Sequence, residues 1–147
     1  MDLGIKGRRA IVCASSKGLG RACAIALANE GVHVTLTARG AEALKQTADE
    51  IRKANPSVTV TEIVGDITTP QGRADVLKAC PEPDILINNA ATNPVFGPLT
   101  DLSEDGWDKI LDTNLKGPFL LSQAAAKDML TRGKGAIVNI ASTGGLE

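Results

Sequence analysis

The feature that most constrains this chain is the regular alternation of short apolar runs with segments of helical periodicity. The apolar runs are rich in Val, Ile and Leu, which favours buried β-strands, and Gly, Ser or Asn lies close to their ends. An order in which strands and helices take turns predicts a parallel, doubly wound α/β sheet joined by right-handed crossovers. Five runs are predicted as strands, over residues 8–14, 32–38, 58–64, 84–88 and 134–141.

The segments between the strands carry the signals of amphipathic helices. Helices are predicted over residues 20–31, 40–55, 69–80 and from 103 to about 130. Ser103 is a good capping residue for the last of these, and acidic residues follow it in the first turn. Gly117 and Pro118 should kink this long helix, because proline lacks the N–H and collides with the preceding turn. The helix carries an apolar stripe. The stripe consists of Trp107, Ile110, Leu111 and Leu115.

The bulk composition fits one globular domain and argues against several function classes. The chain has 147 residues, of which 43% are apolar, and a formal net charge of −1. A chain of this length forms a single domain, over residues 1–147. So small a net charge gives no field that attracts nucleic acid or an acidic membrane. No apolar stretch reaches the roughly 20 residues that span a bilayer, and the N-terminus does not resemble a secretory signal. We expect no nucleic-acid or membrane partner and a cytoplasmic location.

The histidine and cysteine content argues against a metal site or histidine-based catalysis. His33 is the only histidine, and it falls within the second predicted strand, where a structural role is expected. Cys13, Cys23 and Cys80 are scattered and show no C-x-x-C spacing. This pattern favours free thiols in a reducing compartment over disulfides or a zinc site. We therefore expect no metal.

The junction between the first strand and the first helix has the composition of a phosphate-binding loop. It reads "CASSKGLGRA", in which Gly18 and Gly20 let the backbone turn tightly and bring the helix N-terminus close to an anion. Ser15 and Ser16 add hydroxyl donors. A G-x-G pair also occurs in purely structural turns. The position after the first strand favours a ligand site, because such sheets bind ligands at the carboxyl ends of their strands.

The end of the second predicted strand bears on which dinucleotide would bind. An NAD site places an acid on the ribose 2′-OH about 20 residues after the loop, whereas an NADP site can place an Arg there. The sequence at this point is "TLTARG", with Arg39 and no acid. Lys17, within the loop, is a second cation directed at the same region. Each could be a solvated surface charge, but the two together favour NADP(H) over NAD(H).

Five motifs in this order resemble those of the short-chain dehydrogenases/reductases, from Arg8 to the last residue. Residues 13–20 are similar to the family's glycine motif T-G-x-x-x-G-x-G, with Cys13 and Ala14 in place of the Thr and the first Gly. The segment "DTNLKGPFLLSQ" is similar to the 3-oxoacyl and carbonyl reductase subgroup. The other four motifs are "GDIT" with Asp66, "NNAA" over residues 88–91, "DTNLKG" with Asn114, and "VNIAS" with Ser142.

The resemblance implies a Rossmann-like sheet of five strands in the order 3-2-1-4-5, together with roles for individual residues. Asp66 is expected to contact the adenine ring and Asn88 to hold the backbone around the cofactor. Ser142 is expected to hydrogen-bond a substrate carbonyl, and Asn114 to face a water or the active site, so these two are the candidate catalytic residues. The implied cofactor-binding residues are Ala14, Ser15, Ser16, Lys17, Gly18, Leu19, Gly20, Arg39, Asp66, Ile67, Asn88 and Ala90.

The family's proton donor is a tyrosine with a lysine four residues after it, and this chain contains no tyrosine. Hydride transfer to a carbonyl needs a proton donor within hydrogen-bond reach. The resemblance therefore implies the NADP(H)-binding portion of a carbonyl or 3-oxoacyl reductase, truncated relative to the family and without turnover of its own. A small carbonyl substrate would belong to a full-length parent. The alternative is a non-catalytic dinucleotide-binding or scaffold domain, truncated naturally or by engineering. The terminal Leu146-Glu147 fits either native sequence or a cloning remnant.

The shortened strand order also has a consequence for packing. The resemblance places the fifth strand at an edge of the sheet and leaves the outer face of the long helix uncovered. Exposed strand edges and apolar patches favour pairing with another chain. We therefore expect a homodimer or a larger homo-oligomer.

Overall fold

A computed structural model of the chain describes residues 1–145 and shows a five-stranded parallel sheet. The strands are β1 (Arg9–Cys13), β2 (His33–Ala38), β3 (Val60–Val64), β4 (Ile85–Asn88) and β5 (Ala136–Asn139). Their order is β3-β2-β1-β4-β5, and all four pairings are parallel. The predicted doubly wound sheet and its strand order are confirmed. Leu146-Glu147 lies outside the described residues.

Helices connect the strands as the alternating pattern predicts. They are α1 (Gly18–Asn29), α2 (Ala41–Ala54), α3 (Pro70–Ala79), α4 (Glu104–Leu111) and α5 (Gly117–Arg132). Short 3₁₀ turns cover Leu99–Asp101 and Thr143–Gly145. The predicted cap at Ser103 is present, since its Oγ accepts a hydrogen bond from the Gly106 N–H at 3.1 Å. None of these helices within residues 1–145 has the length and apolar character that crossing a membrane requires.

Both faces of the sheet are covered by helices, as the side chains of the central strand β1 show. Ala10 and Val12 pack in one core with residues of α1 and α2, whereas Ile11 and Cys13 pack in a second core with residues of α3 and α5. Successive residues of a strand point to opposite faces. A strand that is apolar at every position therefore needs a helical layer on each side. This arrangement leaves the carboxyl edge of the sheet open for loops.

The long helix predicted after Ser103 is interrupted by a five-residue π segment, Asp112–Lys116. The irregularity expected at Gly117 and Pro118 thus lies one turn before the proline. A proline ring collides with the carbonyl four residues earlier, which here belongs to Asn114. The wider π turn removes that conflict. Pro118 then falls in the first turn of α5, where a missing N–H costs little.

The apolar stripe of the long helix is only partly buried. Trp107 is 52% exposed and Leu115 is 62% exposed. The buried residue of α4 is Gly106, which lies so close to Val95 and Leu102 that an added Cβ would come within 3.3 Å and 3.1 Å of their side chains. The other two residues of the stripe are half-buried, so the helix packs most closely through its small residue and leaves Trp107 and Leu115 exposed.

The β5 strand is the most exposed strand of the sheet. Val138 retains 43% of its accessible surface, and Ile140, directly after the strand, retains 38%. Ile140, Leu115 and Phe119 line one shallow cavity and form an apolar face that we call the α5–β5 face. Within residues 1–145, β5 pairs with β4 alone.

A buried carboxylate ties β5 to the rest of the sheet at its amino end. Asp84, at 2% exposure, accepts hydrogen bonds from Arg132 Nη1 at 2.7 Å and from the Arg9 N–H at 2.9 Å. Lys134 Nζ lies 3.5 Å from the same carboxylate. Burial raises the pKa of Asp84, but these hydrogen bonds and charges outweigh it and lower the pKa to about 2. The carboxylate is therefore ionised and joins β1, β4, α5 and the start of β5.

Candidate functional site

The predicted phosphate loop lies at the carboxyl edge of the sheet, between the end of β1 and the start of α1. Cys13, which stands where the family motif has Thr, is fully buried, and burial raises the pKa of its thiol to about 12. It therefore fills space and carries no reactive thiolate. Ala14, which replaces the first Gly of the motif, adopts a left-handed backbone with φ of 50°. This conformation is strained for any residue that has a Cβ.

Gly20 is required by the close approach of the helix to the loop. A Cβ at this position would lie 2.3 Å from the Ala14 carbonyl oxygen and 2.6 Å from Asn89 Nδ2. Such contacts are too short for any real side chain. The absence of a side chain at Gly20 lets the first turn of α1 lie directly against the loop backbone.

Three anchors from three different elements hold the loop. Ser15, fully buried, exchanges backbone and side-chain hydrogen bonds with the Thr37 backbone at the end of β2. The Thr47 hydroxyl, on α2, donates to the Ser16 carbonyl at 3.0 Å. Asn89 Nδ2, directly after β4, donates to the carbonyls of Cys13 and Ala14, both at 3.3 Å. The loop is thus a preformed structure.

A cavity of about 330 Å³ opens beside this loop. Its walls come from the loop, the end of β2, the start of α2, the end of β3 and the segment after β4. Seven of the predicted cofactor-binding residues lie on these walls. They are Ala14, Ser16, Lys17, Arg39, Asp66, Ile67 and Ala90.

The remaining predicted residues of the loop lie outside the cavity wall. Ser15 is buried beneath the loop, while Gly18 and Leu19 are exposed, Leu19 at 65%. Gly20 is buried against Ala14. These four residues either support the loop from within or lie on its exposed surface. The loop residues that line the cavity are Ala14, Ser16 and Lys17.

The electrostatics of the cavity suit an anionic ligand at one end. Lys17 and Arg39 are both exposed and both line the cavity, and within the described chain neither takes part in an ion pair. The first carboxylate after β2, that of Glu42 in the first turn of α2, does not line the cavity. The one acid on the wall, Asp66, lies after β3, where its Oδ1 accepts hydrogen bonds from the Thr68 N–H and hydroxyl at 2.9 and 2.7 Å.

Two helix N-termini beside the cavity lack the side-chain caps that α3 and α4 have. The residues before α1 and α2 are Lys17 and Gly40, and neither accepts a hydrogen bond from its helix through a side chain. In contrast, Thr69 and Ser103 cap α3 and α4. The first N–H groups of a helix need acceptors, and the helix dipole favours negative charge there. Thr37 Oγ1, in the cavity wall and buried, also has no partner within residues 1–145.

A second cavity, of about 320 Å³, adjoins the first through the shared wall residue Ala90. Asn88, at 4% exposure, lines it and donates through Nδ2 to Ser122 Oγ at 2.8 Å and to Asn139 Oδ1 at 2.9 Å. Its own Oδ1 finds no partner in the part of the chain that the structure describes. Asn88 therefore joins β4, β5 and α5 through side chains and does not hold the loop backbone, which is the role of Asn89.

Asn114 also lines the second cavity, on the π segment. Its Oδ1 accepts from the Thr92 N–H at 2.7 Å and its Nδ2 donates to the Thr92 carbonyl at 2.9 Å. The side chain thus fixes the segment after β4, part of which lines the first cavity. Both polar atoms of the Asn114 amide are therefore engaged with the Thr92 backbone, and the catalytic role expected from the sequence stays a prediction.

Ser142 follows β5 and is exposed, with its Oγ accepting from the Gly144 N–H at 3.2 Å. It belongs to neither of the two cavities at the carboxyl edge. Across residues 1–145, no group of three His, Cys, Asp or Glu residues comes together in a way that could hold a metal ion.

Three residues that shape the site were not identified from the sequence: Thr37, Thr47 and Asn89. Thr37 and Thr47 lie in a strand and a helix where Thr is unremarkable, and their contacts depend on long-range packing. Asn89 carried a signal, since it directly follows a buried strand next to Asn88. When two adjacent residues at the carboxyl edge of a parallel sheet carry amides, their side chains point to opposite faces of the sheet, so one of them can reach the loop.

A doubly wound parallel sheet with a glycine loop and a cavity beside its first helix defines a Rossmann-like fold. The close packing at Gly20 and the helix N-termini without side-chain caps are features that can accommodate an anionic group such as a diphosphate. The sequence model of the short chain dehydrogenase family matches residues 8–147, and the chain belongs to this family of oxidoreductases.

Individual relatives agree with this assignment. The dehydrogenase/reductase SDR family member 4 of Pongo abelii is 38% identical over 137 residues, which make up 90% of this chain and 49% of that protein. L-sorbose reductase from Gluconobacter frateurii, complexed with NADPH and L-sorbose, has a TM-score of 0.91 at 32% identity over 97% of this chain and 55% of that one. NAD⁺-bound xylitol dehydrogenase has a TM-score of 0.87 at 28% identity over 97% and 56%. The chain spans about half the length of the curated relatives it matches.

Proposed function

We propose that the chain is the NADP(H)-binding portion of a reductase that acts on small carbonyl compounds. The observation that carries this proposal is the position of Lys17 and Arg39 on one cavity wall, where no carboxylate from the segment after β2 meets a ribose 2′-hydroxyl. Two cations favour a 2′-phosphate, whereas NAD(H) would find no acidic partner there. Relatives bind either dinucleotide, so the cations of this chain are what favours NADP(H).

Under this proposal each wall residue has a role. The N–H groups at the start of α1 hold the diphosphate, Ser16 and the two cations hold the 2′-phosphate, and Asp66 and Ile67 flank the adenine. Ala90, shared by both cavities, lies where the cofactor passes toward the second cavity. The bound nicotinamide would supply or accept a hydride.

Titration of the chain with NADPH and NADH tests the assignment. Lys17→Ala and Arg39→Ala should each weaken NADPH binding about tenfold and leave NADH binding nearly unchanged, because one charge-assisted contact is worth about 1.5 kcal/mol. Lys53→Ala, an exposed change on α2 outside the cavity, is the matched control. Equal affinity of the unmodified chain for both cofactors, or tighter NADH binding, would refute the preference.

We further propose that this chain binds the cofactor without turning over a substrate. Ser142 and Asn114 are the candidate members of the catalytic set, but no tyrosine is available to donate a proton. Asn114 is already committed to the Thr92 backbone. A small carbonyl substrate would require the part of a longer relative that this chain does not cover.

An NADPH-consumption assay on a panel of ketones and oxoacyl thioesters, run beside the binding titration, tests this statement. The expected result is binding with no consumption above the rate without protein. Consumption that Ser142→Ala abolishes would show that a proton donor exists within the chain and would overturn the proposal. Ser142 and the unidentified proton donor would then belong to a complete catalytic site within the chain.

We also propose that the chain forms a homo-oligomer through the α5–β5 face and the open edge of β5. Leu115 and Phe119 are 62% and 60% exposed there, and β5 is unpaired on one side within residues 1–145. Sedimentation at micromolar concentration should show a dimer or larger species, which Phe119→Ser should shift toward monomer. A monomer for the unmodified chain would refute this proposal.

A further inference from the structure

One anchor of the phosphate loop comes from α2, the helix that also follows Arg39. Thr47 is buried, at 2% exposure, and its hydroxyl donates a hydrogen bond to the Ser16 carbonyl at 3.0 Å. A threonine within a helix commonly bonds to a carbonyl of its own preceding turn. Here the hydroxyl instead reaches 31 residues back along the chain, to the loop.

The carbonyl that Thr47 holds belongs to the peptide joining Ser16 to Lys17. Lys17 continues from that peptide in an extended conformation, with φ of −151° and ψ of 172°, and its side chain lines the cavity. Fixing the peptide before Lys17 therefore fixes the point on the cavity wall from which its side chain extends. Arg39, the other cation, stands directly before Gly40, the residue that precedes α2.

Asn89 and Thr47 thus hold two different halves of the loop, which we call its first and second limbs. Asn89 holds the carbonyls of Cys13 and Ala14, on the limb that packs against Gly20 and the start of α1. Thr47 holds the Ser16–Lys17 limb, which lies with Arg39 and Gly40. The first limb borders the diphosphate position of the proposed function, and the second borders the 2′-phosphate position.

We propose that Thr47 is a positioning residue for cofactor discrimination, acting through the Ser16–Lys17 peptide to keep Lys17 at a fixed spacing from Arg39. This inference rests on the proposed NADP(H) binding. Helix α2 then sets the distance between the two cations, because Arg39 precedes the helix and Thr47 attaches the loop to its second turn. Losing the hydroxyl should weaken the hold on a 2′-phosphate and leave the shared part of the dinucleotide unaffected.

The test compares NADPH and NADH affinities of Thr47→Val and Thr47→Ser with those of the unmodified chain. Valine keeps the shape of threonine and removes the hydroxyl, so the ratio of NADPH to NADH affinity should fall about fivefold, as expected for one hydrogen bond. Serine keeps the hydroxyl and should restore the ratio to within about twofold. Thermal unfolding of each variant confirms that it is folded, and Thr47→Ala replaces the valine variant if that one unfolds.

Two further variants separate this role from general support of the loop. Asn89→Ala should weaken both cofactors by a similar factor and leave the ratio near that of the unmodified chain. In a Lys17→Met background, Thr47→Val should cause no additional loss of NADPH affinity, because the group it positions is gone. An additive loss in that background would overturn the inference.

The failure of this inference differs from the failure of the proposed function. If the unmodified chain prefers NADPH and Thr47→Val keeps that ratio, or weakens both cofactors equally, the role of Thr47 is refuted and NADP(H) binding stands. A serine variant that behaves like the valine variant also refutes it. If the unmodified chain does not prefer NADPH, the proposed function and the role of Thr47 are both overturned.

Discussion

Asn114 holds the backbone of Thr92 through both atoms of its amide group, with Oδ1 accepting at 2.7 Å and Nδ2 donating at 2.9 Å. The two residues are 22 positions apart, one on the π segment and the other after β4. Thr92 lines the first cavity and Asn114 lines the second. The pair therefore couples the irregular turn in the long helix to the wall of the proposed cofactor site.

Replacing Asn114 should loosen that wall. Asn114→Asp keeps an acceptor for the Thr92 N–H but places a carboxylate oxygen against the Thr92 carbonyl. We expect a loss of about 1 kcal/mol in the free energy of unfolding, since the bonds are solvent-exposed, and a loss of NADPH affinity of about fivefold. Urea unfolding and cofactor titration measure the two effects. Asn93→Asp, an exposed change one residue after Thr92, is the control, and an equal effect there would contradict the assigned role.

The ionised Asp84 should make the stability of the fold depend on acid pH. Because its pKa falls from 3.8 to about 2 on folding, its ionisation stabilises the folded state fully above about pH 4. This stabilisation, about 2 kcal/mol, should disappear as the pH falls from about 4 to 2. Asp84→Asn should unfold about 3 kcal/mol more easily at pH 7, because Arg132 loses its buried partner.

Chemical unfolding at a series of pH values checks this prediction. The gap between the unmodified chain and Asp84→Asn should narrow as the pH falls through this range, because the carboxylate becomes neutral. Asp108→Asn, an exposed acid on α4, should follow the unmodified chain throughout. A gap that stays constant down to pH 2 would show that ionisation of Asp84 is not the source of the stability.

The strain at Ala14 predicts opposite effects for two small substitutions in the loop. Ala14→Gly should stabilise the fold by about 0.5 kcal/mol, because relief of the left-handed conformation exceeds the entropy that glycine adds to the unfolded chain. Gly20→Ala should destabilise it by at least about 2 kcal/mol, since the new Cβ would lie 2.3 Å from the Ala14 carbonyl oxygen. Thermal unfolding measures both. Destabilisation by Ala14→Gly would mean that the left-handed backbone carries no strain.

The sheet was predictable from sequence because its signal is local and repeated. The strands are short and rich in apolar and β-branched residues, and every connection contains a helix. The parallel arrangement therefore follows from the alternation, whereas the strand order follows from the family resemblance. The helix after Ser103 was less predictable. Its apolar residues recur at helical spacing, yet the buried position is Gly106, where a Cβ would be in tight contact with the side chains of Val95 and Leu102.

The residues of the candidate site also differ in how far the sequence could predict them. Lys17 and Arg39 could be predicted to share a site, because the carboxyl ends of neighbouring parallel strands meet at one edge, and the structure places both on one cavity wall. The supporting contacts of Thr47 and Asn89 could not be predicted. They depend on which of several similar side chains faces the loop, which is decided by the packing of α2 and the end of β4 and by no local pattern.

The one-sided pairing of β5 has a consequence for how the sheet exchanges its amide protons. Strand β1 is paired on both sides and fully buried over most of its length, whereas β5 is paired with β4 alone in the described chain and keeps a single half-buried residue, Ile137. Local opening costs least where few apolar contacts must be broken. Strand β5 should therefore exchange as a separate cooperative unit, held by its pairing with β4, by the Asp84 carboxylate at one end and by the Asn88–Asn139 bond at the other. The sheet then has a graded opening free energy that decreases from β1 toward the strand that carries Ser142.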